Sequence, residues 1–229
     1  MKILGLEKLS LVDYGNYACA VVFTGGCNFR CPFCHNGGLV LEKSNEIQYL
    51  EVMDYLQKRK GLLDAVCVSG GEPTLQPHLI DFLRKLKDMG FKVKLDTNGS
   101  NPKVLKEIID LQLVDYVAMD IKNNFENYSE IIGLQCLDIN KIIQSVHLLK
   151  ENKVDYEFRT TLVNEFHKKS NIEKMAKELN GAKKLYLQKF VDNDNCLNSG
   201  LHSVSNELAN EFVAILSKEI KCVTLRGYL

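Results

Sequence analysis

The sequence has no excess of either charge: 29 Lys and Arg balance 29 Asp and Glu, for a formal net charge of zero over 229 residues. That balance argues against a basic nucleic-acid binder and against an acidic tail. Long apolar runs are also missing, and none approaches the roughly 18 to 20 residues needed to cross a bilayer. The opening MKILGLEKLSLVDYG contains no apolar core followed by small residues of the kind a secretory leader carries, so a cytoplasmic location is expected, with no membrane partner. Only four prolines occur, all isolated, and there is no low-complexity segment, Pro/Gly-rich linker or obvious repeat. The simplest organisation is one domain over 1–229, long enough to bury a sizeable core. Eight cysteines are too few for a disulfide scaffold, yet they stand out in a chain expected where thiols stay reduced. Some of them are candidates for metal or redox chemistry.

Short β-branched runs read as buried strands near 18–23, 65–69, 92–96, 116–120, 156–162 and 184–188. Helical stripes lie between them. Leu79, Ile80, Phe82, Leu83, Leu86 and Met89 share one face with Gly90 as the stop, and Asn101 with Pro102 reads as a cap and first helical residue. Further stripes cover 47–56, 139–149, 172–179 and 208–216. Alternation of this kind implies an α/β fold of parallel βαβ units, either an open doubly wound sheet or a full or partial barrel. In either case ligands bind beyond the C-terminal ends of strands. The segments there are polar: TGGCNFRCPFCHN, SGGEP, DTNG, MDIK, RTT and QKF.

Cys27, Cys31 and Cys34 form C-x3-C-x2-C in the first of these loops, after Gly25 and Gly26. Three thiolates in eight residues can wrap one soft centre. A structural zinc site wants four ligands and usually a second Cys pair, which is missing, although His35 adjoins Cys34. A [4Fe-4S] cluster fits the count better, with three irons held by thiolates and the fourth left for another ligand. Gly70, Gly71 and Glu72 read either as a close-approach ligand loop or as a plain tight turn. Cys19, Cys67, Cys136 and Cys222 read as small core residues, and Cys196 as a lone exposed thiol in an Asp/Asn-rich loop. His78, His147, His167 and His202 read as surface or helix residues with structural roles.

The stretch TGGCNFRCPFCHN, including Phe33 before the third cysteine, resembles the signature of radical S-adenosylmethionine (radical SAM) enzymes. SGGEP, LDTNG, AMDIK and Cys34-His35-Asn36 resemble the branch that activates glycyl radical enzymes. Within it, the chain length and the closing Leu225-Arg226-Gly227-Tyr228 most resemble activating proteins of anaerobic ribonucleoside-triphosphate reductase.

The resemblance implies a partial (β/α)6 barrel of parallel strands. It further implies one [4Fe-4S] cluster on Cys27, Cys31 and Cys34, S-adenosylmethionine chelated to the fourth iron, and reductive cleavage to a 5′-deoxyadenosyl radical. That radical would take hydrogen from a backbone glycine of the partner enzyme. By the same carry-over, Phe33, His35, Gly70, Gly71, Glu72, Asp96, Thr97, Asn98, Asp120, Lys122 and Arg159 would line the cofactor site. In some relatives the positions of Asp96, Thr97 and Asp120 also hold a monovalent cation. Gln188 stands where some relatives carry histidine, so no role is carried to it. No cysteine pair after Cys34 suggests a second cluster. A flavodoxin or ferredoxin would supply the electron. Two other readings of the residues stay open: a radical SAM enzyme acting on a nucleotide-like small molecule, similar to 7-carboxy-7-deazaguanine synthase, and a non-catalytic Cys3His zinc module.

Overall fold

The computed structural model describes every residue except Gln135 and Leu229. The chain packs as two compact units, one comprising Met1–Asn28, Gly38–Ala118 and Lys153–Asp155, the other Phe29–Gly37, Met119–Asn152 and Tyr156–Leu229.

The first unit carries β1 (Ile3–Ser10), β2 (Cys19–Thr24), most of α1 (Gly37–Val40), α2 (Tyr49–Lys58), β3 (Ala65–Gly70), α3 (Leu79–Asp88), β4 (Lys92–Thr97) and α4 (Pro102–Asp110). β2 pairs in parallel with β3 from Cys19–Ala65 to Thr24–Gly70, and β3 with β4. Ala65, Val66, Cys67 and Val68 are all fully buried, as a parallel strand covered on both faces requires. α3 buries Leu79, Phe82, Leu83 and Leu86 on one face. On the inner face of the strands, Cys19, Val21, Ala65, Cys67 and Tyr14 make a small core.

β5 (Tyr116–Asp120) has its first three residues in the first unit and its last two in the second. The second unit continues with α5 (Tyr128–Ile131), α6 (Ile139–Lys150), β6 (Asp155–Leu162), α7 (Lys169–Glu178), β7 (Leu185–Lys189), α8 (Asn206–Leu216) and β8 (Val223–Arg226). β6, β7 and β8 pair in parallel in that order. Two helix starts are capped by side chains: Asp138 accepts from the Asn140 amide of α6, and Ser205 from the Leu208 amide of α8.

All six expected strands form, within two residues of their expected ends, and the α/β alternation holds. Two strands were not anticipated. β1 is antiparallel to β2, and its central Glu7, Lys8 and Leu9 are exposed, so it offers no continuous apolar run. β8 is four residues long and alternates half-buried with exposed positions. Asn101 precedes α4 without making a side-chain cap; its amide donates instead to the Thr74 carbonyl at 3.0 Å. Cys19 and Cys67 are core residues as expected, whereas Cys136 and Cys222 are exposed and Cys196 is half-buried. No helix among the described residues is long and apolar enough to cross a membrane.

Candidate active site

In the first unit, the loops leaving β2 and β3 are fastened by backbone contacts that exclude side chains. The Gly71 amide donates to the Thr24 carbonyl and the Glu72 amide to the Gly26 carbonyl, each at 2.9 Å. A Cβ on Gly71 would lie 1.9 Å from the Gly26 oxygen, and one on Gly70, at φ +117°, 2.3 Å from the Thr24 nitrogen. Glycine is therefore a steric requirement at both positions.

Glu72 follows, fully buried. Its carboxylate accepts from the Thr74 amide at 3.0 Å, the Thr74 hydroxyl at 2.5 Å, the Thr97 hydroxyl at 2.7 Å and the Asn98 amide at 2.6 Å. Burial pushes its pKa above the ordinary glutamate value, although the donors from Thr74, Asn98 and Thr97 oppose that shift. The carryover from the family made Glu72 a cofactor contact. In the structure its oxygens tie the β3 loop to the β4 loop.

Asn98 is also the link to the first cysteine. Its side-chain amide lies 3.7 Å from the Cys27 sulfur and donates to the Asn28 side chain at 2.9 Å, while the Asn28 amide donates to the Ser100 hydroxyl. Asp96 accepts from the Lys94 ammonium at 2.7 Å and from the Ser69 hydroxyl at 3.1 Å. Lys94 is 4% exposed and was not among the expected site residues; its place two positions before Asp96 on the same strand face was the available signal.

The second unit contributes a different chemistry. Cys31 and Phe33 are buried and Cys34 half-buried, in a turn closed by the Cys34 amide on the Cys31 carbonyl at 3.0 Å. Burial raises the Cys34 thiol pKa, with Lys122 pulling the other way. At the end of β5, Asp120 accepts from the Lys122 ammonium at 3.0 Å and from Arg159 Nε of β6 at 2.8 Å. Burial disfavours the Lys122 ammonium, but the Asp120 carboxylate and the Cys31 thiol outweigh it and hold the lysine pKa above its ordinary value. The same ammonium sits 5.9 Å from the Phe33 ring centroid, within cation–π range. His35 is exposed and stacks on Phe190 at 5.5 Å.

The segment after β7 braces this turn, since the Gly37 amide donates to the Asn195 carbonyl and the Asn198 amide to the Pro32 carbonyl. His167 departs from the expectation of a surface or helix residue: it is fully buried, and both ring nitrogens engage backbone groups. His78, His147 and His202 are exposed, as expected.

The donor set suits an iron–sulfur cluster. It offers three soft thiols within eight residues, a side-chain amide beside the Cys27 sulfur, and no bulk at the glycine crossing. Among the described residues no three His, Cys, Asp or Glu side chains come together as ligands of one metal ion.

The model of the radical SAM superfamily matches residues 21–179, more than half of the chain. A Methanocaldococcus jannaschii protein provisionally named glycyl-radical enzyme activating enzyme is 38% identical over 201 residues, covering 84% of this chain and 81% of its own. Clostridium pasteurianum pyruvate formate-lyase-activating enzyme is 35% identical over 139 residues, 58% of this chain and 57% of that one. Among solved structures, Streptococcus suis SuiB bound to S-adenosylmethionine superposes with a TM-score of 0.71 at 15% identity, over 90% of this chain and 50% of its own, a likeness of fold. The chain belongs to the radical SAM superfamily. It is an enzyme of that class, and its cofactors are a [4Fe-4S] cluster and S-adenosylmethionine. The zinc-module reading is not favoured.

Proposed function

We propose that this enzyme is an activase, which generates a glycyl radical on the backbone of a partner enzyme, and that the partner is an anaerobic ribonucleoside-triphosphate reductase. The observation that carries the activase reading is the 38% identity, over most of both chains, to the archaeal protein with the activating-enzyme name. Pyruvate formate-lyase-activating enzymes at 28 to 35% identity support the same class. The reductase as partner is supported by the resemblance of the FTGGCNFRCPFCHN stretch and of Leu225-Arg226-Gly227-Tyr228 to activating proteins of that reductase. Within the second unit, Arg226 of that segment forms two 3.1 Å bonds to the buried Glu157 carboxylate and stacks 3.4 Å from the Tyr186 ring centroid. A flavodoxin or ferredoxin is the proposed electron donor.

Cys27, Cys31 and Cys34 would hold the cluster. When bound and reduced by the flavodoxin or ferredoxin, such a cluster would supply the single electron needed for cleavage of S-adenosylmethionine to methionine and a 5′-deoxyadenosyl radical, the species that would take a hydrogen atom from glycine. The protein's share is binding and orientation. Gly70 and Gly71 let backbone approach the methionyl end, Glu72 holds Thr97 and Asn98 in place, and Asp120, Lys122 and Arg159 offer charges of both signs to a zwitterionic ligand. Phe33 supplies an apolar face that excludes water.

The test is anaerobic. Reduced, cluster-loaded protein mixed with S-adenosylmethionine and the reductase should release 5′-deoxyadenosine and produce an electron-paramagnetic doublet on the reductase. The Cys31→Ala variant should lose iron and both signals. Absence of cleavage would overturn the enzymatic reading of the site. Cleavage without a doublet on the reductase, but with one on a different glycyl radical enzyme, would overturn the choice of partner alone.

A further inference from the structure

Strand pairing ends at Asp120, yet the two residues beyond it are as fully hydrogen-bonded as a central strand. The Asp120 carbonyl accepts from the Tyr128 hydroxyl at 3.3 Å. The Ile121 amide donates to the Arg159 carbonyl, and the Ile121 carbonyl accepts from the Thr160 hydroxyl, both at 2.8 Å. The Lys122 amide donates to the Tyr128 hydroxyl at 3.2 Å, and the Lys122 carbonyl lies 2.9 Å from His167 Nε2. Tyr128 and His167 are fully buried.

The histidine tautomer follows from its neighbours. The Val163 amide can only donate, and it points at His167 Nδ1 at 3.0 Å. Nδ1 also lies 3.1 Å from the Val163 carbonyl, so the other side of the ring decides: the Lys122 carbonyl can only accept, Nε2 carries the hydrogen given to it, and in the neutral ring Nδ1 is then the acceptor for the Val163 amide. Burial lowers the His167 pKa, which keeps the ring neutral as this arrangement needs. A buried polar ring and a buried phenol are costly unless their polar atoms are paired, and here the pairing converges on the backbone of one lysine. The hydrogen bonds of both side chains run to the backbone of Lys122, and Tyr128 also acts electrostatically on its ammonium. Together they fix the peptide groups on either side of its Cα, and so the direction in which the side chain leaves.

We propose that His167 and Tyr128 are positioning residues for Lys122: they clamp its backbone so that the ammonium stands between the Asp120 carboxylate and the Phe33 ring, set to receive S-adenosylmethionine. The inference rests on the reading of Lys122 as a cofactor contact, and its test separates the two.

The first arm needs no cofactor chemistry. Cluster-loaded protein is treated anaerobically with an acetyl succinimidyl ester, and Lys122 acylation is followed by peptide mass spectrometry. His167→Asn keeps an acceptor for Val163 but cannot reach the Lys122 carbonyl, whereas His167→Gln places an amide donor near the position of Nε2. Acylation should rise several-fold in His167→Asn and stay near the parent rate in His167→Gln. Equal rates in all three proteins would overturn the clamp.

The second arm measures equilibrium binding of S-adenosylmethionine. His167→Asn should weaken it about tenfold, the size of a lost buried hydrogen bond transmitted to a charged contact, and His167→Gln should recover most of that loss. Added to Lys122→Met, the His167→Asn change should have no further effect, since it acts through the lysine. An equal loss in both backgrounds would assign His167 a merely structural role and overturn the proposal. If Lys122→Met alone left binding unchanged, the reading of Lys122 would fall while the first arm still reported on the clamp. Tyr128→Phe removes a single oxygen and repeats both arms if His167→Asn melts at the working temperature.

Discussion

Two carboxylates, one in each unit, are kept in opposite ways. Glu72, in the first unit, is fully buried and accepts from four neutral donors supplied by Thr74, Thr97 and Asn98. Asp120, in the second, keeps about three-tenths of its side chain accessible and pairs with the Lys122 and Arg159 cations. A carboxylate among neutral dipoles can fasten two loops: three of the four donors meet Oε1, and the Asn98 amide meets Oε2. One among cations belongs to a charged cluster that can reorganise around a charged ligand. The sequence motifs present both as acidic ligands, and the structure gives them different surroundings.

The largest effect should come from breaking the fastened half at its crossing point. Gly71→Ala would put a methyl 1.9 Å from the Gly26 oxygen and 2.6 Å from its carbonyl carbon, both backbone atoms with little room to retreat. A cost of about 3 kcal/mol or more follows, together with loss of iron on reconstitution, because Gly26 leads directly into Cys27. Gly90→Ala is the control: φ is +89° but open space surrounds the position, so about 1 kcal/mol of backbone strain is expected. Denaturant unfolding of the apo-proteins and iron analysis read both. Equal effects would mean that the close approach of the two loops is not what demands glycine.

Next in size is Glu72→Gln, which retains shape but puts an amide group where donors already point. Losing part of that network should cost about 1–3 kcal/mol. The pH dependence identifies the cause. Burial raises the Glu72 pKa in the native state, so between the ordinary glutamate value and the raised one the folded protein binds more protons than the unfolded chain. Stability from this group is therefore highest below the ordinary value and falls as pH rises through the raised one. Glutamine cannot titrate, so the stability gap between parent and variant should narrow as pH rises from about 4 towards 8. A gap that did not change with pH would sink this account of Glu72.

Much of the frame was legible because the forces that make it are local in sequence. The apolar stretches 65–68 of β3 and 117–119 of β5 are buried without a break, and their sequences read as continuous apolar runs. The C-x3-C-x2-C spacing stands out because clustered thiols in a polar loop have little other use. What escaped was decided by partners far along the chain. His167 precedes Lys168, Lys169 and Ser170, a polar run that reads as surface, and only its fit against Lys122 and Val163 buries it. Lys94 is likewise buried by its pairing with Asp96. Asn101 has the sequence of a helix cap, but the Thr74 carbonyl claims its amide. β1 escaped because one of its edges and its middle face solvent, leaving no period to detect.

The smallest expected effect probes the ionic half. Arg159→Lys preserves both cations beside Asp120 and alters only how one of them is presented. The guanidinium holds Asp120 through Nε at 2.8 Å with its planar fork fixed, whereas an ammonium on a flexible stem would have to find the same oxygen without that directionality. Because Asp120 is partly solvent-accessible, screening limits the loss in stability to within about 1 kcal/mol. Affinity for S-adenosylmethionine should suffer more than stability does, falling several-fold, because a ligand carboxylate recognises two parallel donors better than one. The two readouts then separate the two carboxylates. In Glu72→Gln the stability loss should exceed the binding loss measured on the protein that remains folded, and in Arg159→Lys the order should reverse. If Arg159→Lys instead destabilised the protein as much as Glu72→Gln, the Asp120 cluster would be a second fastener, and the distinction between a carboxylate held by neutral donors for structure and one held by cations for binding would not stand.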